Sequence, residues 1–125
     1  MTNIEKNECH IVIHDASGAA ACIAGGNILP VADAFPLTGI QMVMINRIGE
    51  IFDKTLTESL AQTIRESFAA MFLGRGISQM LASFIPGIGN VINALTAAAL
   101  TEYIGWSVAE KFDKERGKVM YAVNS

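Results

Sequence analysis

The chain has 125 residues, 51% of them hydrophobic and 17% charged, with a formal net charge of -3. Its length suits one domain with a single core. The acidic balance and the absence of a Lys/Arg cluster argue against a nucleic-acid binder. An average soluble domain carries about 25% charged residues. Together with a mean hydropathy of +0.38, the shortfall calls either for very complete burial or for contact with lipid.

Residues 1–8 are polar and mixed in charge, unlike the basic start and apolar run of a signal peptide. They read as a disordered tail ahead of a helical domain over 9–116. A first helix is expected from about Cys9 to Gly25, closed by Gly25-Gly26-Asn27. The β-branched run Ile11-Val12-Ile13 favours a strand. The alanine-rich run that follows outweighs it in favour of helix, and nothing later in the chain offers a partner strand. On that helix Cys9 and Cys22 stand about 20 Å apart, beyond disulfide reach. They read as free thiols of a reducing compartment.

Pro30-Val31-Ala32-Asp33 opens a second helix, with Asp33 as cap and Pro36 tolerated in the first turn. It runs to about Phe52 with a broad apolar face. Thr55-Leu56-Thr57-Glu58 has the form of a capping box, with Thr55 as cap and Glu58 reaching back. The third helix continues to about Leu73. Leu56, Leu60, Ile64, Phe68 and Phe72 fall on one face, and Glu58, Gln62, Arg65 and Glu66 on the other. After Gly74-Arg75-Gly76 comes a short helical segment carrying Ile77, Met80, Leu81 and Phe84. Phe84-Ile85-Pro86-Gly87-Ile88-Gly89-Asn90 then breaks the chain and caps a long last helix, Val91 to Phe112. Residues 117–125 form a tail that reads either as a helical extension or as a strand.

From Gly76 to Thr101 there is no charged residue. An uninterrupted span of about 20 apolar residues is nevertheless missing. Ala16–Ala32 is broken by Gly25-Gly26-Asn27, and Val91–Val108 carries Asn93, Thr96, Thr101 and Glu102.

Two stretches echo each other. Ile28-Leu29-Pro30…Asp33 leads to Glu50-Ile51-Phe52-Asp53-Lys54, and Phe84-Ile85-Pro86…Asn90 leads to Glu110-Lys111-Phe112-Asp113-Lys114. Pro30, Asp33, Pro86, Gly87, Gly89 and Asn90 thus form two break-and-cap devices. The expected fold is all-α: two packed α-hairpins, with four main helices and one short one.

With Leu29-Pro30…Asp33, Ile40-Gln41, the glycine linker around Arg75 and Ile85-Pro86-Gly87-Ile88-Gly89-Asn90 in that order, the chain resembles domain-of-unknown-function family 697 over roughly His10 to Phe112. That family is a hydrophobic helical module often found C-terminal to small GTPase domains. Its members include bacterial inner-membrane proteins. The resemblance implies membrane association on the cytoplasmic side and a connection to a GTPase. The chain has no Gly-x-x-x-x-Gly-Lys-Ser/Thr loop, so that GTPase would be a separate protein. The resemblance carries no catalytic residues and no cofactor.

Several residues stand out. His10 and His14 share a helical face and are able to grip one metal ion. A third ligand would have to come from Asp15, Cys9 or Glu102. Otherwise the pair packs at the end of the domain. Glu102, mid-helix among Ala98, Ala99 and Ile104, needs a partner such as Arg47, Arg75 or a histidine of the first helix. It reads as a proton-handling or gating acid, or as a structural pair. Gln41, Asn46 and Asn93 are amides in apolar helices, suited either to fixing helix register or to lining a cavity. Gly89, Asn93, Ala97, Thr101, Gly105 and Ala109 form a ridge of small residues that repeats every four positions. It should meet a similar ridge of the first helix, Ala16-Ala20-Ala24 or Ser17-Ala21-Gly25. Tyr103, Trp106 and Phe112 suit an interfacial belt or a core. No serine has a nucleophile-elbow setting. Cys9 and His10, being adjacent, point about 100° apart on a helix.

The reading is a non-catalytic membrane-associating helical module, working with a separate GTPase. One alternative is a soluble, cytoplasmic scaffold that self-associates into a homo-oligomer. Another is a small pore with Gln41, Asn93 and Glu102 along its path.

Overall fold

A computed structural model describes residues 1–26, 34–73 and 88–124, and the side chains of 1–24, 37–72 and 94–117. It contains helices α1 (Asn3–Gly26), α2 (Ala34–Ile51), α3 (Glu58–Leu73) and α4 (Ile88–Asn124). The all-α class and the bundle of helical hairpins are as expected. Pro30, Asp33, Arg75, Pro86, Gly87 and the short segment at Ile77–Phe84 lie outside the described residues.

The start of the domain differs from expectation, and its end takes one of the two expected forms. Residues 1–8 are not a tail, because Thr2 and Glu5 form a capping box. The Thr2 hydroxyl accepts from the Glu5 N–H at 3.1 Å, and the Thr2 N–H donates to Glu5 Oε1 at 2.9 Å. At the other end the helical extension, one of the two readings of the tail, is what forms: α4 runs past Phe112 and through Gly117 to Asn124. Pairs one turn apart, Lys111 with Glu115 and Asp113 with Arg116, support its last third. At its start, Gly89 and Asn90 lie inside α4 instead of capping it.

The α2–α3 turn is tightly specified. Asp53 takes a positive φ of 56°. The Lys54 N–H reaches Gly49 O at 2.7 Å, and the Asp53 N–H reaches Glu50 O at 3.1 Å. This is a Schellman closure with aspartate in the position that glycine usually holds. The cap of α3 is Thr57, whose hydroxyl accepts from the Leu60 N–H at 3.1 Å, and not Thr55. Two threonines compete for the role, and packing decides between them. With Thr57 as cap, Leu56 and Ala61 take the flanking staple positions against the core.

Consecutive helices run antiparallel, so α2 and α4 are parallel. These two form the middle of the bundle, with α1 on one side and α3 on the other. Among the described residues α1 and α3 do not touch, whereas α4 touches all three other helices and packs most extensively on α1. The core holds Cys9 and Ile13 from α1, Met44, Ile45 and Ile48 from α2, Ile64 from α3, and Ile104, Val108 and Phe112 from α4. At Gly105 side chains of α1 and α2 close in on α4. A Cβ there would stand 2.7 Å from Ile13 Cγ1 and 3.0 Å from Met44 Sδ. The small-residue ridge of α4 is therefore buried at Ala97, Thr101, Gly105 and Ala109. At Gly105 it receives Ile13 as a knob; further along, Ser17 and Ala20 of α1 are buried too. The side chain of Asn93 lies outside the described residues.

Candidate functional site

Three polar features sit on this frame. The first is interior. Arg65 Nε donates to Gln41 Oε1 at 2.7 Å, Gln41 Nε2 donates to Thr101 Oγ1 at 3.1 Å, and Thr101 Oγ1 donates to Ala97 O at 2.8 Å. Gln41 and Thr101 are fully buried. This chain ties α3 to α2 to α4. Gln41 is a buried amide as expected, and its bonds fix register. Arg65 was expected on the water face; its long side chain lets it turn inward, and burial pulls its pKa below the ordinary value. Asn46, expected to be buried, is exposed. The buried face of α2 uses positions 41, 44, 45 and 48, which turns 46 outward. Leu60, expected on the buried face of α3, is likewise 48% exposed, and Ala61 takes its place.

The second feature is a surface cluster between α1 and α4. His14 Nδ1 lies 2.6 Å from Glu102 Oε1, and Trp106 Nε1 donates to Glu102 Oε2 at 3.1 Å. His10 stacks on His14 with ring centroids 4.7 Å apart and meets Trp106 edge-on at 4.9 Å. A histidine of the first helix is thus the partner of Glu102. The cluster engages both carboxylate oxygens. Among the described residues no group of three or more His, Cys, Asp or Glu side chains is placed to hold a metal ion. Trp106 and Tyr103 are half-buried, Tyr103 against Phe72 on α3, whereas Phe112 is core.

The third feature is an ionic cap at the end of the bundle where α1 begins. Arg116 binds both oxygens of Glu5, and Lys54 and Lys111 both bind Glu115. Arg116 and Lys54 also lie over the rings of Phe52 and Phe112, at 5.1 and 4.8 Å. The guanidinium of Arg116, helped by the Thr2 N–H, holds the Glu5 carboxyl down at about 2. Burial, and then the charges of Glu5 and Glu8, push the Cys9 thiol up to about 11. Cys9 is therefore a protonated core residue and not a thiolate nucleophile.

These features divide the molecule along its axis. Apart from Arg65, whose guanidinium turns inward onto Gln41, every charged residue of the described helices lies at or on one side of a belt formed by Asp15, Arg47, Glu66 and Glu102. Beyond it, residues 16–26 of α1, 34–46 of α2, 67–73 of α3 and 88–101 of α4 carry no charge. The linking sequences 27–33 and 74–87 add only Asp33 and Arg75. The exposed side of this uncharged half includes Val43, Met71 and Leu95, at 54%, 57% and 64% exposure. Exposed apolar residues also occur in the charged half, at Ile4 and Ile11. Absence of charge, not presence of apolar surface, is what separates the halves.

No family model, no curated protein and no solved structure matches the chain, so the family resemblance rests on its motifs alone.

Proposed function

We propose that the protein is a non-catalytic helical module that seats the uncharged half of its bundle in one leaflet of a membrane. The observation that carries this reading is the axial segregation of charge across all four helices. No described helix is long and apolar enough to cross a membrane, so the reading is of partial insertion. The uncharged stretches of α1, α2 and α4 are about 16 to 21 Å long at helical rise. One leaflet contributes about 15 Å of hydrocarbon, half of the core. The belt of Asp15, Arg47, Glu66 and Glu102 then lies at headgroup level, and the ionic cap stays in water. A separate GTPase, implied by the resemblance, would approach that watery end.

The pore alternative loses support from the interior. Gln41 is buried and bonded on both sides, and Glu102 is held by His14 and Trp106. Self-association keeps one supporting observation, the exposed Ile4 and Ile11 on one face of α1.

Flotation with vesicles of phosphatidylethanolamine and phosphatidylglycerol tests the proposal. The wild-type chain is expected to float. Met71→Glu with Leu95→Glu should reduce binding about tenfold or more, since each places a charge in hydrocarbon. Leu60→Glu, in the charged half, should change little. A wild-type chain that stays at the bottom of the gradient overturns the reading. So does an equal loss in the double variant and in Leu60→Glu.

A further inference from the structure

A groove of about 490 Å³ runs between α1 and α2. Its walls are Ala16 from α1 and Gly39, Ile40 and Val43 from α2, with Met44 also lining it. Asp15 and Arg47 line it too, and among the described residues they are its only charged lining. Gly39 deepens the groove, for nothing lies within 4 Å of where its Cβ would be. Most of the lining belongs to the uncharged half, and the two charges belong to the belt.

Neither Asp15 nor Arg47 forms an ion pair within the described residues, unlike Glu5, Lys54, Glu102, Asp113, Glu115 and Arg116. Both are exposed. Helical side chains lean toward the N-terminus of their own helix. Because α1 and α2 are antiparallel, Asp15 leans toward the charged end and Arg47 toward the uncharged one, so the two heads converge on one level. A single groove therefore offers an unpaired anion, an unpaired cation and an apolar trough leading away from both. A space of this size with few polar groups is typical of small-ligand sites.

We infer that this groove binds a zwitterionic membrane phospholipid, with the phosphate on Arg47, the headgroup ammonium on Asp15 and an acyl chain along Ala16, Gly39, Ile40 and Val43. Charge complementarity selects the occupant. A fatty acid or an anionic lipid would satisfy Arg47 and leave Asp15 facing a like charge, while a cationic amphiphile would do the reverse. Arginine suits the phosphate because its planar fork makes paired hydrogen bonds to two oxygens. The inference rests on the leaflet reading, because that reading places the groove mouth among headgroups.

The test uses soluble short-chain lipids below their micelle concentrations, so it does not require the chain to bind vesicles. Amide spectra of the full chain are followed during titration with dihexanoylphosphatidylethanolamine and, separately, dihexanoylphosphatidylglycerol. The expected result is saturable shifts at Ala16, Gly39 and Val43. Arg47→Gln should weaken both lipids about tenfold, the loss of a charge-assisted phosphate contact. Asp15→Asn should weaken only the ethanolamine lipid, by several-fold. Gly39→Leu, which fills the groove from an exposed position, should abolish both without lowering the melting temperature. Shifts that never saturate, or that map to Met71 and Leu95 instead, overturn the inference, as does equal binding by all variants. Lipid-independent dimerisation that shifts the same amides would assign the groove to a second copy and overturn it too. Flotation without groove shifts would leave the leaflet reading standing and remove this one. Groove shifts without flotation would do the opposite.

Discussion

The charged and uncharged halves of the bundle are held together by different physics. In the charged half the contacts are large and directional: Phe52 against Phe112 at 6.4 Å, Arg116 on Glu5, and Lys54 with Lys111 on Glu115. The ion pairs are individually weak at a wet surface, but together with the buried rings they tie three helix ends. In the uncharged half the α1–α4 contact is built from small side chains, such as Ser17, Ala20 and Ala97, which let helix backbones approach. One polar chain, Arg65 to Gln41 to Thr101, specifies how the helices slide against one another. The first half resists change in solvent conditions poorly and tolerates shape changes. The second should do the reverse.

That contrast is open to direct attack. The largest effect is expected at Gly105, next to the junction of the halves. Gly105→Leu should cost about 3 kcal/mol, the upper end for overpacking, because Ile13 and Met44 already occupy the space its side chain needs. Urea unfolding measures it, and an unchanged midpoint would mean that α1 does not sit on α4 as described. Next is Gln41→Leu, expected to cost about 2 kcal/mol by leaving the inward-turned Arg65 without its acceptor. If Arg65 simply swings out to water, the loss will be nearer zero.

The charged half should yield to acid. Glu5 has a folded pKa of about 2, below its ordinary value of 4.5. Its contribution is therefore present above pH 4.5 and is lost as pH falls toward 2. Glu5→Gln should be less stable than wild type at neutral pH and should converge with it near pH 2. Melting curves across that window decide the matter, and parallel curves would sink the assignment. The smallest effects are gains in the uncharged half. Gly18→Ala and Gly39→Ala should each stabilise by about 0.5–1 kcal/mol, since both are helical and open to space. Ser17→Ala should also be neutral or better, because its buried hydroxyl lacks a partner among the described residues.

Much of this architecture can be read from local sequence. The apolar spacing of α2 and the four-residue repeat through Ala97, Thr101 and Gly105 foretell helices packed closely on one another. Gln41 stands out because an amide in an apolar stripe must find a partner. What escapes local reading is whatever depends on distant residues. Thr2-x-x-Glu5 is a legible capping box, yet its setting among polar residues resembles a frayed tail until Arg116 is seen beside Glu5. Thr55 and Thr57 are equivalent as caps until Leu56 and Ala61 have a core to pack against. Arg65 looks like a solvent residue because position on a helix fixes the Cβ, not the tip of a long side chain. Of the candidate site, a first-helix histidine is legible as one of several partners for Glu102, but the choice of His14 and the part of Trp106 required the fold. Asp15 and Arg47 stand out in the sequence only as a third metal ligand and as a partner for Glu102, because an unpaired charge is recognisable as such only once its neighbours are known.

The burial of Cys9 has a kinetic consequence. Cys9 is sealed where α1 meets α4, while Cys22 on the same helix is exposed. Helices α2 and α3 are synthesised between the two, so Cys9 cannot be covered until the last helix has emerged. A thiol reagent added during refolding will label Cys22 at all times and Cys9 only before closure. The chain thus carries its own stopwatch and its own reference channel, and the ratio of the two labels times the docking of α1 on α4.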